Sequence, residues 1–162
     1  MPRAVPRRLS FRRSDPAPLV EVVEDLSRLG RGWVNIAADL GDDHAANIAN
    51  RPGGWFSARG PESPHSTYVP PRRKRNGKIE PAQLGIEHAA GPKAVRQLDA
   101  AGLTVPGGWL VRQDNPKRGL VLAVPAGSGS NELVEWLLAA AELLSRVPLG
   151  DAWQAEVWET AN

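Results

Sequence analysis

The sequence predicts an α+β fold: a single antiparallel sheet packed against two or three helices, with a disordered basic arm at the N-terminus. Three observations carry that expectation. Between Pro106 and Trp158 the pattern reads hairpin, apolar helix, short aromatic strand. Elsewhere apolar residues recur with a period of two in short runs and with helical spacing in longer ones. The 162 residues include no cysteine, and a chain of that length buries a core as one domain without disulfides. The expected division is an arm over 1–17 and a domain over 18–159, with a mobile basic loop around 60–80.

Residues 1–17 contain Pro2, Pro6, Pro16 and the pairs Arg7-Arg8 and Arg12-Arg13, with few apolar side chains to bury. From Pro18, Leu19, Val22, Val23, Leu26 and Leu29 fall on one helical face opposite Glu21, Glu24, Asp25 and Arg28, and Gly30 ends the helix. Trp33, Val34, Ile36 and Ala38 suggest a first strand. Pro52-Gly53-Gly54-Trp55 recurs as Pro106-Gly107-Gly108-Trp109, each followed by a Val-Pro pair. The first copy therefore suggests a second hairpin, looping over 60–64. Residues 70–77 form a proline-led basic loop.

Residues 79–90 read in two ways. Leu84 and Ile86 alternate with Gln83, Gly85 and Glu87 as in a strand, whereas Pro81 followed by Leu84 and Ala89 suits a short helix. Pro92 opens a helix through Ala94, Val95, Leu98 and Ala101, closed by Gly102. Trp109, Val111, Leu120, Leu122 and Val124 flank a turn over 114–119, which is hairpin grammar. After Pro125, residues 126–130 break the strand, and Ser130 or Asn131 is suited to cap a helix running to 146. Glu132, Glu135, Glu142 and Arg146 occupy one narrow arc of that helix, and Leu133, Val134, Trp136, Leu137, Leu138, Leu143 and Leu144 cover most of the rest. Pro148 and Gly150 stop it, and Trp153, Ala155 and Val157 alternate as a last strand.

With 79–90 as a strand, the order is helix, three strands, helix, two strands, helix, strand. That order resembles the α-β-β-β-α-β-β-α arrangement of secretion-chaperone-like domains, which implies a protein-binding module. With 79–90 helical, two short helices precede a hairpin whose tip carries Lys117 and Arg118, with Arg112 nearby. Residues 81–125 are then similar to a winged helix-turn-helix, which implies that the second helix enters the major groove and presents Lys93, Arg96 and Gln97. Both resemblances lie in element order alone.

Charge is segregated along the chain. The total is +2, but residues 1–18 carry +4 and residues 72–78 carry +5, so the remaining body is acidic at −7. Basic segments are electrostatic handles for phosphate backbones. The leading expectation is therefore a non-enzymatic module that meets DNA or RNA phosphates with Arg7, Arg8, Arg12, Arg13, Arg72, Arg73, Lys74 and Arg75, and with Lys117 and Arg118 at the hairpin tip. A protein-binding adaptor, docking a partner on the acidic body or an apolar sheet face, is the alternative. Nothing apolar enough to be a signal segment or membrane span is seen, so a cytoplasmic location without membrane partners is expected.

Catalysis has weaker signals. Asp42, His44, His65 and His88 would make a metal-dependent hydrolase only by converging, since no HExxH, HxH or EF-hand spacing exists. Ser57, Ser63, Ser66 and Thr67 lie near His65 without a Gly-x-Ser-x-Gly elbow. Gly127-Ser128-Gly129-Ser130 precedes a helix but lacks a Walker lysine or a third glycine, so a linker with an N-cap explains it. No cofactor or metal is expected. Of six tryptophans, Trp33, Trp109, Trp136, Trp153 and Trp158 fall in predicted strands or the buried helix and read as core, leaving Trp55, beside Phe56, Arg51 and Arg59, as an exposed stacker.

Overall fold

Alternation with a period of two builds the main layer of the molecule, which is a computed structural model describing residues 5–41 and 60–159. The elements run β1 (Arg7–Arg12), α1 (Ala17–Leu29), β2 (Trp33–Ala38), β3 (His65–Val69), β4 (Arg72–Arg73), β5 (Ile79–Glu80), β6 (Ala82–Glu87), α2 (Ala94–Ala100), β7 (Leu110–Asn115), β8 (Gly119–Val124), α3 (Ser130–Leu144) and β9 (Ala152–Trp158). Seven strands form one antiparallel sheet in the order β1-β9-β2-β3-β6-β8-β7, and β4 and β5 make a separate two-stranded ribbon.

The helices cover one face of this sheet and leave the other. Val34 and Ile36 of β2, Leu84 and Ile86 of β6, Leu120 and Leu122 of β8, and Ala155 and Val157 of β9 are all buried. They pack beneath α1 (Leu19, Val22, Val23, Leu26), α2 (Ala94, Leu98) and α3 (Val134, Leu137, Leu138, Ala141, Leu144). The three helices lie side by side, α3 touching both others, and Trp136 meets Trp109 edge-on at 5.4 Å. Full burial of each large aliphatic side chain contributes about 1.5–3 kcal/mol, so this shared layer dominates the stability.

Several expectations change. Residues 7–12 are not a disordered arm: they form the edge strand β1, in register with β9 from Arg7↔Val157 to Arg12↔Ala152. The reason is the pair Leu9 and Phe11, which alternate inward. Phe11 is buried against Trp153, the ring centroids 6.3 Å apart. Arginines on either side of this pair, Arg7, Arg8 and Arg12, keep an exposed edge from pairing with other sheets. Residues 1–4 lie outside the described residues. Beyond β1, Arg13 donates to Glu142 (2.6 Å) and Glu135 (2.9 Å) of α3, while Ser14 donates its amide and hydroxyl to Asp151.

The stretch 60–80 is not one loop either. Ser66 and Tyr68 turn inward on β3, and the β4–β5 ribbon is closed by an amide bond from Lys74 to the Lys78 carbonyl at 2.8 Å and by a Lys74–Glu80 ion pair at 2.7 Å. Of the suggested repeat, Pro52 to Trp55 lie outside the described residues, and Val69 and Val124 both end strands.

Residues 82–87 are a strand, because Leu84 and Ile86 sit at 0% and 1% exposure between β3 and β8. The winged-helix arrangement is thereby overturned: β7–β8 belongs to the main sheet and one short helix precedes it. That helix begins at Ala94, not Pro92, after Lys93 adopts a left-handed conformation at φ 61°. β7 starts after Trp109 and bulges between Val111 and Gln113, which turns Asp114 inward beside Leu120, while Val111, in register with Leu122, is exposed on this edge strand. Helix α3 ends at Leu144, leaving Leu143 exposed, and its N-cap is Gly129 without a side-chain cap bond.

Two of the close backbone approaches that need glycine join strands of the main sheet. Gly119 (φ +82°) passes the Ile86 carbonyl so closely that a Cβ would stand 2.3 Å from it, and Gly32 (φ +81°) passes the Trp158 carbonyl at 2.4 Å. Among the described residues no helix is long and apolar enough to cross a membrane.

The Asp114 carboxylate accepts the amides of Ala94 (2.9 Å) and Val95 (3.1 Å), capping α2 from a neighbouring strand. Losing such a cap costs about 0.5–2 kcal/mol. Asp114→Ala is expected to lower the urea midpoint accordingly while the slope stays unchanged; an unshifted midpoint would show that the cap contributes nothing.

Candidate nucleic-acid interface

Antiparallel register decides which ends of the elements meet. Trp33 pairs with Trp158, Arg7 with Val157, Val69 with Gln83, and Ala82 with Val124. The starts of β1, β2 and β6 and the ends of β3, β8 and β9 therefore share one end of the sheet. The ribbon, the C-terminus of α1 and the loop before α3 leave from that same end. Arg7, Arg28, Arg31, Arg72, Arg73, Lys74, Arg75 and Lys78 are gathered there, although the sequence scatters them over three separate segments.

Some of these cations are already engaged. Arg28 pairs with Asp25 on the same helix, and Lys74 with Glu80 across the ribbon. Arg7, Arg72, Arg73, Arg75 and Lys78 make no ion pair among the described residues. Arg28, Arg72 and Arg73 line one groove of about 470 Å³, between the end of α1, the ribbon and residues 125–130. Its floor includes Leu133 and Tyr68, whose hydroxyl shares a 2.7 Å hydrogen bond with Ser27, and among the described residues no carboxylate lines it. Burial raises the Tyr68 pKa, the Ser27 bond opposing it, so the phenol stays neutral.

The other expected cations are elsewhere. Arg13 is held by two glutamates on α3. Arg12 lies at the opposite end of β1, and Lys117 and Arg118 form the tip of β7–β8, at the opposite end of the sheet from the ribbon. One strand length, roughly 17–20 Å, separates the two ends. Arg8 stays near the basic end on the open face, 3.2 Å from Glu156.

Two tryptophans expected in the core are on that open face. Trp33 and Trp158 are half-buried and stack at 5.7 Å with an interplanar angle of 12°. Their strands alternate as expected, but the tryptophans take the outward positions. Arg28 and Arg31 are also unmarked by composition; their signal is position, at a helix C-terminus where cations are favoured.

The catalytic constellation does not assemble among the described residues. Asp42, His44 and Ser57 lie outside them. His65 is exposed on the open face opposite Glu87, whereas His88 is buried beneath the helices, on the other side of the sheet. Ser66 is buried on the helix side, and no group of three metal-ligating side chains occurs among the described residues. Large exposed apolar side chains are dispersed over the molecule: Val5 before β1, Leu29 and Ile79 on the groove, Leu110 and Val111 on β7, and Leu143 on α3.

His88 has a structural consequence instead. Its Nδ1 accepts the Ala90 amide at 3.1 Å, so the proton sits on Nε2, which is buried without a partner among the described residues. Burial lowers its pKa; Asp114 opposes that shift and Arg146 adds to it. An unfolded histidine titrates near 6.5, so between the folded and unfolded values the unfolded chain holds more protons. Stability is therefore complete above about pH 6.5 and is lost as pH falls below it. Urea midpoints are expected to fall between pH 7.5 and 5 for the native chain, and less so for His88→Gln; equal slopes would remove His88 as the cause.

Comparison with protein-family models, with curated proteins and with solved structures gives no match in any of the three. The functional reading thus rests on the basic end and the face beside it.

Proposed function

We propose that this chain is a non-enzymatic nucleic-acid-binding module that neutralises phosphates with its basic end. The observation that carries the reading is the convergence of Arg28, Arg72 and Arg73 on one groove that no carboxylate lines among the described residues, with Arg75 and Lys78 on the same ribbon and Arg7 at the same end of the sheet. The helix layer is acidic: α1 carries Glu21, Glu24 and Asp25, the last paired with Arg28, and α3 carries Glu132 in its first turn and Glu135 and Glu142 further from the basic end. A polyanion approaching such a molecule is repelled by the helix layer and drawn to one end, which orients the encounter before contact. Each phosphate neutralised releases condensed counterions, so affinity falls steeply with salt.

Arg12, Arg13, Lys117 and Arg118 have no part in this mechanism. Support for the alternative, a protein-binding adaptor, is confined to Leu110 and Val111 on the edge strand β7, where an extended segment would add as a further strand.

Fluorescence anisotropy with labelled oligonucleotides across a salt series tests the proposal. Replacing Arg72, Arg73 and Arg75 by Ala is expected to weaken binding at least about tenfold at low salt and to reduce the salt slope by about 0.7–0.9 for each phosphate no longer neutralised. Replacing Lys117 and Arg118 is expected to leave both unchanged. Native-like binding by the ribbon variant, or none by the native chain at low salt, would overturn it.

A further inference from the structure

The face of the sheet that none of the three helices covers is arranged in rows. At the basic end Trp158 and Trp33 stack on each other, with Gln83 further along the same face. The next row runs Arg8, Glu156, Asn35, Thr67 and Gly85 across five strands. The third runs Ser10, Gln154, Ala37, His65 and Glu87. Asn35 and Thr67 are joined by a 2.9 Å hydrogen bond, and the second and third rows, apart from Gly85 and Ser10, line a shallow depression of about 590 Å³.

Gly85 is the informative residue. It sits in the interior of β6, a central strand, where glycine weakens the strand and commonly marks close approach by a ligand. Among the described residues nothing lies within 4 Å of where its Cβ would be, so neither packing nor backbone conformation requires glycine. It keeps the middle of the open face flat and accessible.

From this we infer that the nucleic acid is single-stranded and lies across the open face, one base stacking on the Trp33–Trp158 pair and a following stretch of the strand passing over Gly85. The inference rests on the phosphate reading above and adds the class of ligand. Gly85 lies one row (about 6.8 Å) along the strands and two strands (about 9.6 Å) across from Trp33, a diagonal that an extended single strand crosses in about two nucleotide steps. Asn35, Gln154, Thr67 and His65 supply donors and acceptors to unpaired base edges, and Glu87 accepts from exocyclic amines. Phosphates stay toward the ribbon at the basic end, since Arg8 is already paired with Glu156 on this face. A duplex hides those edges and cannot lie flat on the pleated surface.

The test uses the full chain, a labelled single-stranded oligonucleotide of about twelve nucleotides, and a duplex of the same sequence at equal salt. The single strand is expected to bind at least roughly tenfold more tightly and to quench tryptophan emission, as stacking on an aromatic side chain implies. Gly85→Leu is expected to lower single-strand affinity about tenfold without lowering the melting temperature, because the space is open. Trp33→Leu, checked for folding by circular dichroism, is expected to weaken the single strand and not the duplex. Equal affinity for both forms, or unaltered single-strand binding by folded Gly85→Leu, overturns this inference. The ribbon variant separates the two ideas: if it loses both nucleic acids equally while Gly85→Leu loses neither, the phosphate reading stands and the open-face path falls.

Discussion

Everything in this molecule follows from the burial of α3. Val134, Leu137, Leu138, Ala140, Ala141 and Leu144 are all within 1% of complete burial, which takes cover on more than one side. The sheet covers α3 from below, and α1 and α2 flank it. Three helices are thereby committed to one face, and a sheet with one covered face shows clean alternation in its strands. The open face is thus the complement of the helix layer, and its polar, half-buried side chains follow from the same pleat that sets Ile36, Leu84 and Leu122 beneath the helices.

Antiparallel register then does for charge what the helix layer does for apolar area. A strand pair reverses direction, so residues distant in sequence meet at one end. Arg28 and Arg31 arrive there at the close of α1, and the ribbon is carried there as the link between β3 and β6. Glycine at 32 lets the chain pass directly under the Trp158 carbonyl, which brings Trp33 alongside Trp158. Cations and aromatic surface become neighbours through topology, although neither is conspicuous in the sequence at those positions.

Most of the sheet and all three helices are legible in the sequence, because long apolar periodicities at 19–26, 120–124, 133–144 and 153–157 admit one period each. What is not legible has a common cause. Arg7–Arg12 carries two inward residues, Leu9 and Phe11, among arginines, and composition outweighs so short an alternation. β6 is ambiguous because Pro81 and Ala89 suit a helix start, and only pairing with both β3 and β8 decides it. Trp33 and Trp158 read as inward because large aromatics usually are; their phase relative to Val34 and Val157 points the other way. The basic ribbon is conspicuous as a charge cluster, whereas Arg28 and Arg31 acquire a role only once the chain is folded.

The sheet order has a consequence for how the chain reaches this state. β3, β6, β8 and β7 pair with near neighbours in sequence, but β9 lies between β1 and β2, so Arg7 must find Val157 and Val34 must find the same residue from the other side. Contacts of such sequence separation form slowly, since the loop must close before they repay it. During synthesis, β2, β3, β6, β8 and β7 can pair while β1 waits for β9, its Phe11 still without the Trp153 neighbour. β9, synthesised after both, is the strand that joins β1 to β2.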